Sequence, residues 1–189
     1  MTVRFMHPHV ARGNDCYSTP PVAVEALLRV EDLPFQVWEP AAGHGPIVTT
    51  LREAGHRVVA SDVLHYDFEL DFEADFLSVK KAPPGVEAIC TNPPYQIVNQ
   101  FTRHALALVP RVYLLLRLSF LASVSRTDIL EERGLARVHV FRNRLPALHR
   151  DGWVGNRVSN PIDYAWLFWD RGHVGPAIFN RILWTADAS

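Results

Sequence analysis

Asn92-Pro93-Pro94-Tyr95 is the stretch of this chain whose residue types are hardest to explain without chemistry. It directly follows the apolar run Ala88-Ile89-Cys90-Thr91. Two consecutive prolines fix φ and supply no N–H, leaving a stiff loop whose carbonyls act as acceptors. Such a loop suits a planar NH2 group. The lone pair of an aromatic or amide NH2 is delocalised, and accepting hydrogen bonds from both of its hydrogens helps to localise it. The Asn92 side-chain carbonyl and the Pro93 backbone carbonyl provide two acceptors, and Tyr95 provides a ring to stack on the flat group. No strong base is required, because positioning and electrostatic stabilisation can carry most of the rate. A Pro-Pro pair alone would serve only to end a strand and start a helix. That plain role leaves the flanking Asn and Tyr unexplained.

A second constellation lies upstream, at Glu39-Pro40-Ala41-Ala42-Gly43-His44-Gly45-Pro46, after the short apolar segment Phe35 to Trp38. Its glycines permit a sharp strand-to-helix turn and close approach of backbone to a ligand. A dinucleotide-binding turn would carry a third glycine to receive pyrophosphate. Here an acid precedes the loop instead. A carboxylate repels phosphate and suits a cation, such as the ammonium and sulfonium of S-adenosylmethionine. Asp62 ends the next strand, where acids accept ribose hydroxyls in nucleoside-binding sheets. Asp75-Phe76 then offers a carboxylate and a ring to an adenine. Each of these, taken singly, serves equally well as a turn, a strand-end cap or an ordinary loop. Their order and spacing together favour a shared ligand.

These residues must be positioned by strands that alternate with helices. The pattern predicts a helix after Pro20-Pro21, a strand over 35–39 and a helix from Ile47 to Ala54. Strands follow at 57–62 and 88–91, with a weak one in the acidic stretch before Phe76. A helix is expected over Gln96 to Val109, and the continuously apolar 111–116 reads as a strand covered on both faces. A helix over Ala122 to Gly134 and strands at 138–141 and 164–169 complete the set. The alternation predicts an open α/β sheet, mostly parallel, with helices on both faces. The last two strands lack a crossover helix, so one of them is expected to run antiparallel.

With 189 residues and 48% hydrophobic content, one domain is expected, 17–189, preceded by a loose arm at 1–16. The formal charge of -1 excludes a uniformly basic nucleic-acid binder but permits a basic face. The charges are unevenly spread. Six carboxylates and no Lys or Arg fall between Asp62 and Asp75, whereas five arginines and one acid fall between Arg137 and Arg157. Cys16 and Cys90 are far apart, so reduced thiols in a soluble cytoplasmic protein are expected. The nine histidines show no metal-ligand spacing, and no metal is expected. No apolar run approaches the length of a membrane span.

Taken in order, Tyr17-Ser18-Thr19-Pro20, the Glu39-to-Pro46 turn, Asp62, Asp75-Phe76 and Asn92-Pro93-Pro94-Tyr95 make the chain resemble the class I methyltransferases, and within them the gamma-type N6-adenine DNA methyltransferases. The resemblance spans roughly residues 14 to 120 by motif. It implies a Rossmann-like, seven-stranded sheet with an antiparallel edge strand, S-adenosyl-L-methionine as cofactor, and DNA as nucleic-acid partner. It further implies cofactor contacts from Tyr17, Thr19, Pro20, Glu39, Pro40, Ala41, Gly43, Gly45, Asp62, Val63, Asp75, Phe76 and Asn92. Catalysis falls to Asn92, Pro93, Pro94 and Tyr95. Many members carry a separate target-recognition domain, whereas only 19 residues follow Asp170 here. Selectivity is then expected to come from loops, a separate specificity partner or a second copy of the chain.

A base in a duplex must be turned out of the stack to be methylated. Tyr95 and Trp153 are candidates to stack on it, and Arg142, Arg144 and Arg150 to contact phosphates. Those arginines serve equally as a solvated face, and Trp153 as sheet-edge packing. Adenine in RNA and a protein glutamine amide present the same planar NH2. A catalytically silent module that keeps the fold as a cofactor sensor is the alternative from another class.

Overall fold

The computed structural model describes residues 18–146 and 162–185. Its centre is the strand read from the longest apolar run, β5 (Arg111–Arg117), whose five inner residues are buried. To one side lie β4 (Ala88–Thr91), β1 (Gln36–Glu39), β2 (Arg57–Asp62) and β3 (Phe72–Glu73), all parallel. To the other lie β7 (Tyr164–Asp170), β6 (Leu135–Phe141) and β8 (Ile178–Ile182). The sheet order is β3-β2-β1-β4-β5-β7-β6-β8. β7 runs antiparallel to both of its neighbours, and β8 is parallel to β6. This is a Rossmann-like α/β fold, with two differences from expectation. The sheet has eight strands, not seven, and the antiparallel strand is interior because β8 takes the edge beyond β6.

Helices cover both faces. α1 (Pro21–Leu28) and α2 (Pro46–Glu53) bury Val24, Leu27, Val48 and Leu51 on one side, against Val37, Tyr113, Trp166 and Phe168. α3 (Val98–Leu108) and the single turn α4 (Thr127–Leu130) cover the other, with Phe101 and Ile129 packed among Trp38, Val112, Leu114 and Trp169. Among the described residues, the three buried tryptophans each place their indole N–H on an acceptor. Trp38 donates to Ser61 Oγ at 2.9 Å, Trp166 to the Ala23 carbonyl at 2.7 Å, and Trp169 to the Ile129 carbonyl at 2.9 Å. The rings therefore contribute their apolar area, roughly 4–6 kcal/mol each before entropy is counted, without an orphaned donor.

The helix expected over 122–134 is reduced to α4. Ser123 and Thr127 bond locally instead, Ser123 Oγ accepting from the Ser125 amide and Thr127 Oγ1 donating to the Val124 carbonyl. Such bonds compete with helix propagation. Beyond α1, Glu31 is buried against β6, where Arg137 and His139 reach it, the latter at 2.6 Å. Burial alone would push its carboxyl up, but the bonds from His139 and Arg137 outweigh that and hold it below the usual range. This clamp fixes α1, and with it Thr19, against the sheet.

Candidate active site

Parallel strands bring the loops after β1, β2, β4 and β5 to one edge, the place where open α/β sheets bind ligands. The turn after β1 is latched to β2. The Ala42 amide donates to the Ser61 carbonyl at 3.0 Å and the Gly43 amide to Asp62 Oδ2 at 2.9 Å. Gly43 and Gly45 have φ of 53° and 77°, a region costly for any residue with a side chain. Space also excludes one at Gly45, where a Cβ would lie 2.1 Å from Phe68 Cε2. Pro46 then opens α2.

Two carboxyls meet at this turn. Glu39 is 0% exposed, and its Oε1 accepts from the Ala41 amide at 2.9 Å. Burial pushes its carboxyl up to about 8, against smaller lowering by the Thr91 hydroxyl and the Ala41 amide, and Asp62 raises it further. The Thr91 hydroxyl faces the carboxyl without reaching full hydrogen-bond geometry, so Glu39 Oε2 and Thr91 Oγ1 are both buried without a partner. Asp62 is also raised by burial, offset by the Gly43, Leu64 and Val63 amides. Each Asp62 oxygen accepts one amide, Oδ1 from Leu64 at 3.1 Å, and keeps a lone pair for a hydroxyl donor. A buried, unpartnered carboxyl oxygen beside a second acid is suited to a cationic group that also donates hydrogen bonds.

The other residues expected at this end are placed as follows. Pro40 is buried at the start of the turn, Ala41 is half-buried, and Val63 is 61% exposed beside Asp62. Asp75 caps a 3-10 turn by accepting the Leu77 amide at 3.0 Å. The Phe76 ring is buried against Trp38 and Phe101, with centroids 5.3 and 4.2 Å away.

The loop after β4 meets the start of α1. Asn92 Nδ2 donates to Thr19 Oγ1 at 3.1 Å, and Oδ1 lies toward Tyr95. Thr19 is buried, and Pro20 follows it as the residue before α1. The Tyr95 hydroxyl lies 3.3 Å from both Asn92 Oδ1 and the Tyr164 hydroxyl. Asn92 Oδ1 can only accept, so the Tyr95 proton is committed there and Tyr164 supplies the other. Burial, with Tyr164 close by, raises the Tyr95 phenol well above the ordinary range, so it stays neutral. Arg117, the last residue of β5, holds its guanidinium 4.3 Å from the Tyr95 ring centroid.

Arg117 and Tyr164 were not expected from sequence. The available signals were a first charge ending an apolar strand and an aromatic opening the antiparallel one. Of the basic residues expected on the substrate side, Arg144 pairs with Asp163 at 3.3 Å, and Arg142 continues β6, its amide donating to the Ile182 carbonyl. Tyr17, Arg150 and Trp153 lie outside the described residues.

The sequence matches no family model, and a search of the curated proteins finds no match. Solved structures share the fold. A Pyrococcus horikoshii protein assigned as an RNA methyltransferase superposes with a TM-score of 0.54 at 18% identity, over 82% of this chain and 85% of its own. A predicted O-methyltransferase of Agrobacterium tumefaciens gives 0.58 at 15%, over 87% and 86%. A modification subunit of an assigned type I restriction enzyme from Vibrio vulnificus gives 0.56 at 16%, over 90% of this chain and 48% of that one.

Proposed function

We propose that the chain is an S-adenosylmethionine-dependent N-methyltransferase, with the N6 amino group of adenine in DNA as its acceptor. The observation that supports this reading is the Asn92 amide, whose nitrogen donates to Thr19 and whose oxygen turns toward the Tyr95 hydroxyl, on the loop after the strand that pairs with β1 and its Glu39 turn. The residues of that turn fit the cofactor. Glu39 Oε2 is a buried acceptor lacking a partner, as a methionyl ammonium would require. Asp62 would hold the ribose hydroxyls, Val63, Asp75 and Phe76 would border the adenine, and Tyr17, Thr19 and Pro20 would close the pocket. Bound there, S-adenosylmethionine supplies an electrophilic methyl group on sulfur.

The chain's own part is positioning. Asn92 Oδ1 and the Pro93 carbonyl hold the two hydrogens of the target amine and direct its lone pair at the transferable carbon. As the new C–N bond formed, the methyl–sulfur bond would break and S-adenosylhomocysteine would leave; the two carbonyls would meet the positive charge developing on the amine, whose proton would then pass to solvent. The Tyr95 ring supports the base by stacking, which a neutral phenol does without repelling it. Adenine in RNA is a second acceptor to test, because one similar structure is assigned as an RNA methyltransferase. The test is mass spectrometry of host DNA and RNA after expression, with Asn92→Ala as control. N6-methyladenine in DNA that depends on Asn92 is expected. Methyl groups found only on RNA or on protein glutamine would replace this acceptor, and none at all would leave a cofactor-binding module.

A further inference from the structure

Resting on that reading, we infer that Glu39 carries a proton in the cofactor-free protein and gives it up to solvent when a methionyl ammonium takes its place, with the Thr91 hydroxyl holding the ionised carboxylate. Glu39 Oε2 and Thr91 Oγ1 are both buried and both lack a hydrogen-bond partner. They belong to paired strands, since β1 ends on Glu39 and β4 ends on Thr91, and the hydroxyl faces the carboxyl. Two orphaned polar groups set against each other in a folded interior call for an explanation. Packing does not supply one, because both residues are 0% exposed and an apolar pair would fill the same space at lower cost.

The groups around the carboxyl decide its charge. Oε1 accepts the Ala41 amide at 2.9 Å, which leaves Oε2 as the oxygen to carry a proton. Asp62 faces the carboxyl from β2 and the Cys90 thiol from β4, an acid that opposes a second negative charge and a group that brings no positive one. Among the described residues no Lys, Arg or His pairs with Glu39. Burial beside another acid favours the neutral form, in agreement with a carboxyl pushed up to about 8. Thr91 suits both states. A hydroxyl accepts from a neutral carboxyl and, turned about its C–O bond, donates to an ionised one. An ammonium offers three donors and a positive charge, so it meets the need of Oε2 and offsets Asp62. One carboxyl proton is lost to buffer for each ammonium bound.

The test uses the whole chain and S-adenosylhomocysteine, which carries the same ammonium. Calorimetric titration near about pH 6.5 in two buffers of different ionisation heat is expected to show about one proton released per molecule bound, and affinity is expected to rise about tenfold for each pH unit below the Glu39 midpoint. Glu39→Gln should release none and lose that rise. In infrared spectra of the cofactor-free protein, the neutral-carboxyl band of Glu39 should fade near pH 8 in wild type and Thr91→Ser, and only at higher pH in Thr91→Val. S-adenosylhomocysteine should abolish it at neutral pH. No proton released by wild type overturns the inference, and so does equal release by Glu39→Gln, which would assign the proton to Asp62. Thr91→Val titrating like wild type overturns the part given to Thr91 and leaves it as strand packing. If Thr91→Val does not fold, Thr91→Ala takes its place, and the two-buffer titration of wild type decides on Glu39 without any variant. The two ideas fail separately: Asn92-dependent methylation without proton release sinks only the Glu39 exchange, and proton release without methylation sinks only the reaction.

Discussion

The two halves of the candidate site leave opposite kinds of polar atom unsatisfied, a carboxyl oxygen in one and a guanidinium nitrogen in the other. Around β1 and β2, Glu39 and Asp62 are buried together and both titrate high. Around β4, β5 and β7, two tyrosines surround an arginine whose Nε has no acceptor. Joining one acid to the arginine would give each of these atoms a partner. The sheet instead keeps them apart on a single edge, and each half bears the cost of unsatisfied polar atoms. Under the proposed function, that separation serves a cationic methyl donor on the acidic side and a flat acceptor group on the other.

The comparison breaks most sharply at Asn92, which faces the boundary between the halves. Asn92→Ala removes one of two acceptors for the target amine and is expected to lower kcat by on the order of 10²–10³, with cofactor affinity nearly unchanged. Single-turnover methyl transfer and S-adenosylhomocysteine titration read the two quantities. A large loss of cofactor affinity with intact kcat would assign Asn92 to the acidic half instead.

The acidic half has its own pH signature. Glu39 has an ordinary carboxyl value of 4.5 and sits at about 8 in the fold. Between these values the folded chain holds a proton that the unfolded chain has lost, so stability falls as pH rises and levels off above about 8. From pH 6 to 9 the loss is on the order of 2–3 kcal/mol. Urea unfolding at both pH values should show the fall in wild type and a smaller one in Glu39→Gln. Asp62 is raised for the same reason, so its own contribution begins above its ordinary value of 3.8. Equal slopes in the two proteins would mean that Glu39 is ionised in the fold and that the acidic half is not strained.

A smaller effect sharpens the same side. Gly45→Ala meets a φ of 77° and the Phe68 ring, and is expected to cost about 2 kcal/mol. Adding Phe68→Ala should recover the steric part and leave the backbone part, as read by denaturant midpoints. Full recovery would mean that the backbone there carries no strain.

How far the sequence made these halves legible differs between them. The acidic half is local. Its turn and its two acids lie within 24 positions, and backbone restrictions specific to glycine and proline announce it. The strands β2 and β4 coincide with their expected spans because buried strands read as apolar runs between turn residues. The tyrosine–arginine half is assembled by topology. Tyr164 meets Tyr95 across 69 positions only because β7 enters antiparallel between β5 and β6, and no local pattern specifies that insertion. β8 escaped for a related reason: its residues are mostly exposed, so no buried face imposes a period. The helix expected over 122–134 failed because apolar spacing was outweighed by serine and threonine bonding to the nearby backbone.

The smallest effect tests how the tyrosine half is wired. Because Asn92 Oδ1 can only accept, the Tyr95 hydroxyl must donate to it and receive from Tyr164. Tyr164→Phe removes one donor and leaves the Tyr95–Asn92 bond intact, so a loss of about 1 kcal/mol in stability and a several-fold drop in kcat/KM are expected. Tyr95→Phe removes the central member, which deprives Asn92 of its donor and Tyr164 of its acceptor, and should cost more on both readouts. The double variant should fall short of the sum by about 0.5–1 kcal/mol, since the two share one bond. Additive losses, or a Tyr164→Phe effect as large as that of Tyr95→Phe, would reverse the inferred direction of the chain and place Tyr164, not Tyr95, as the group that holds Asn92 in register.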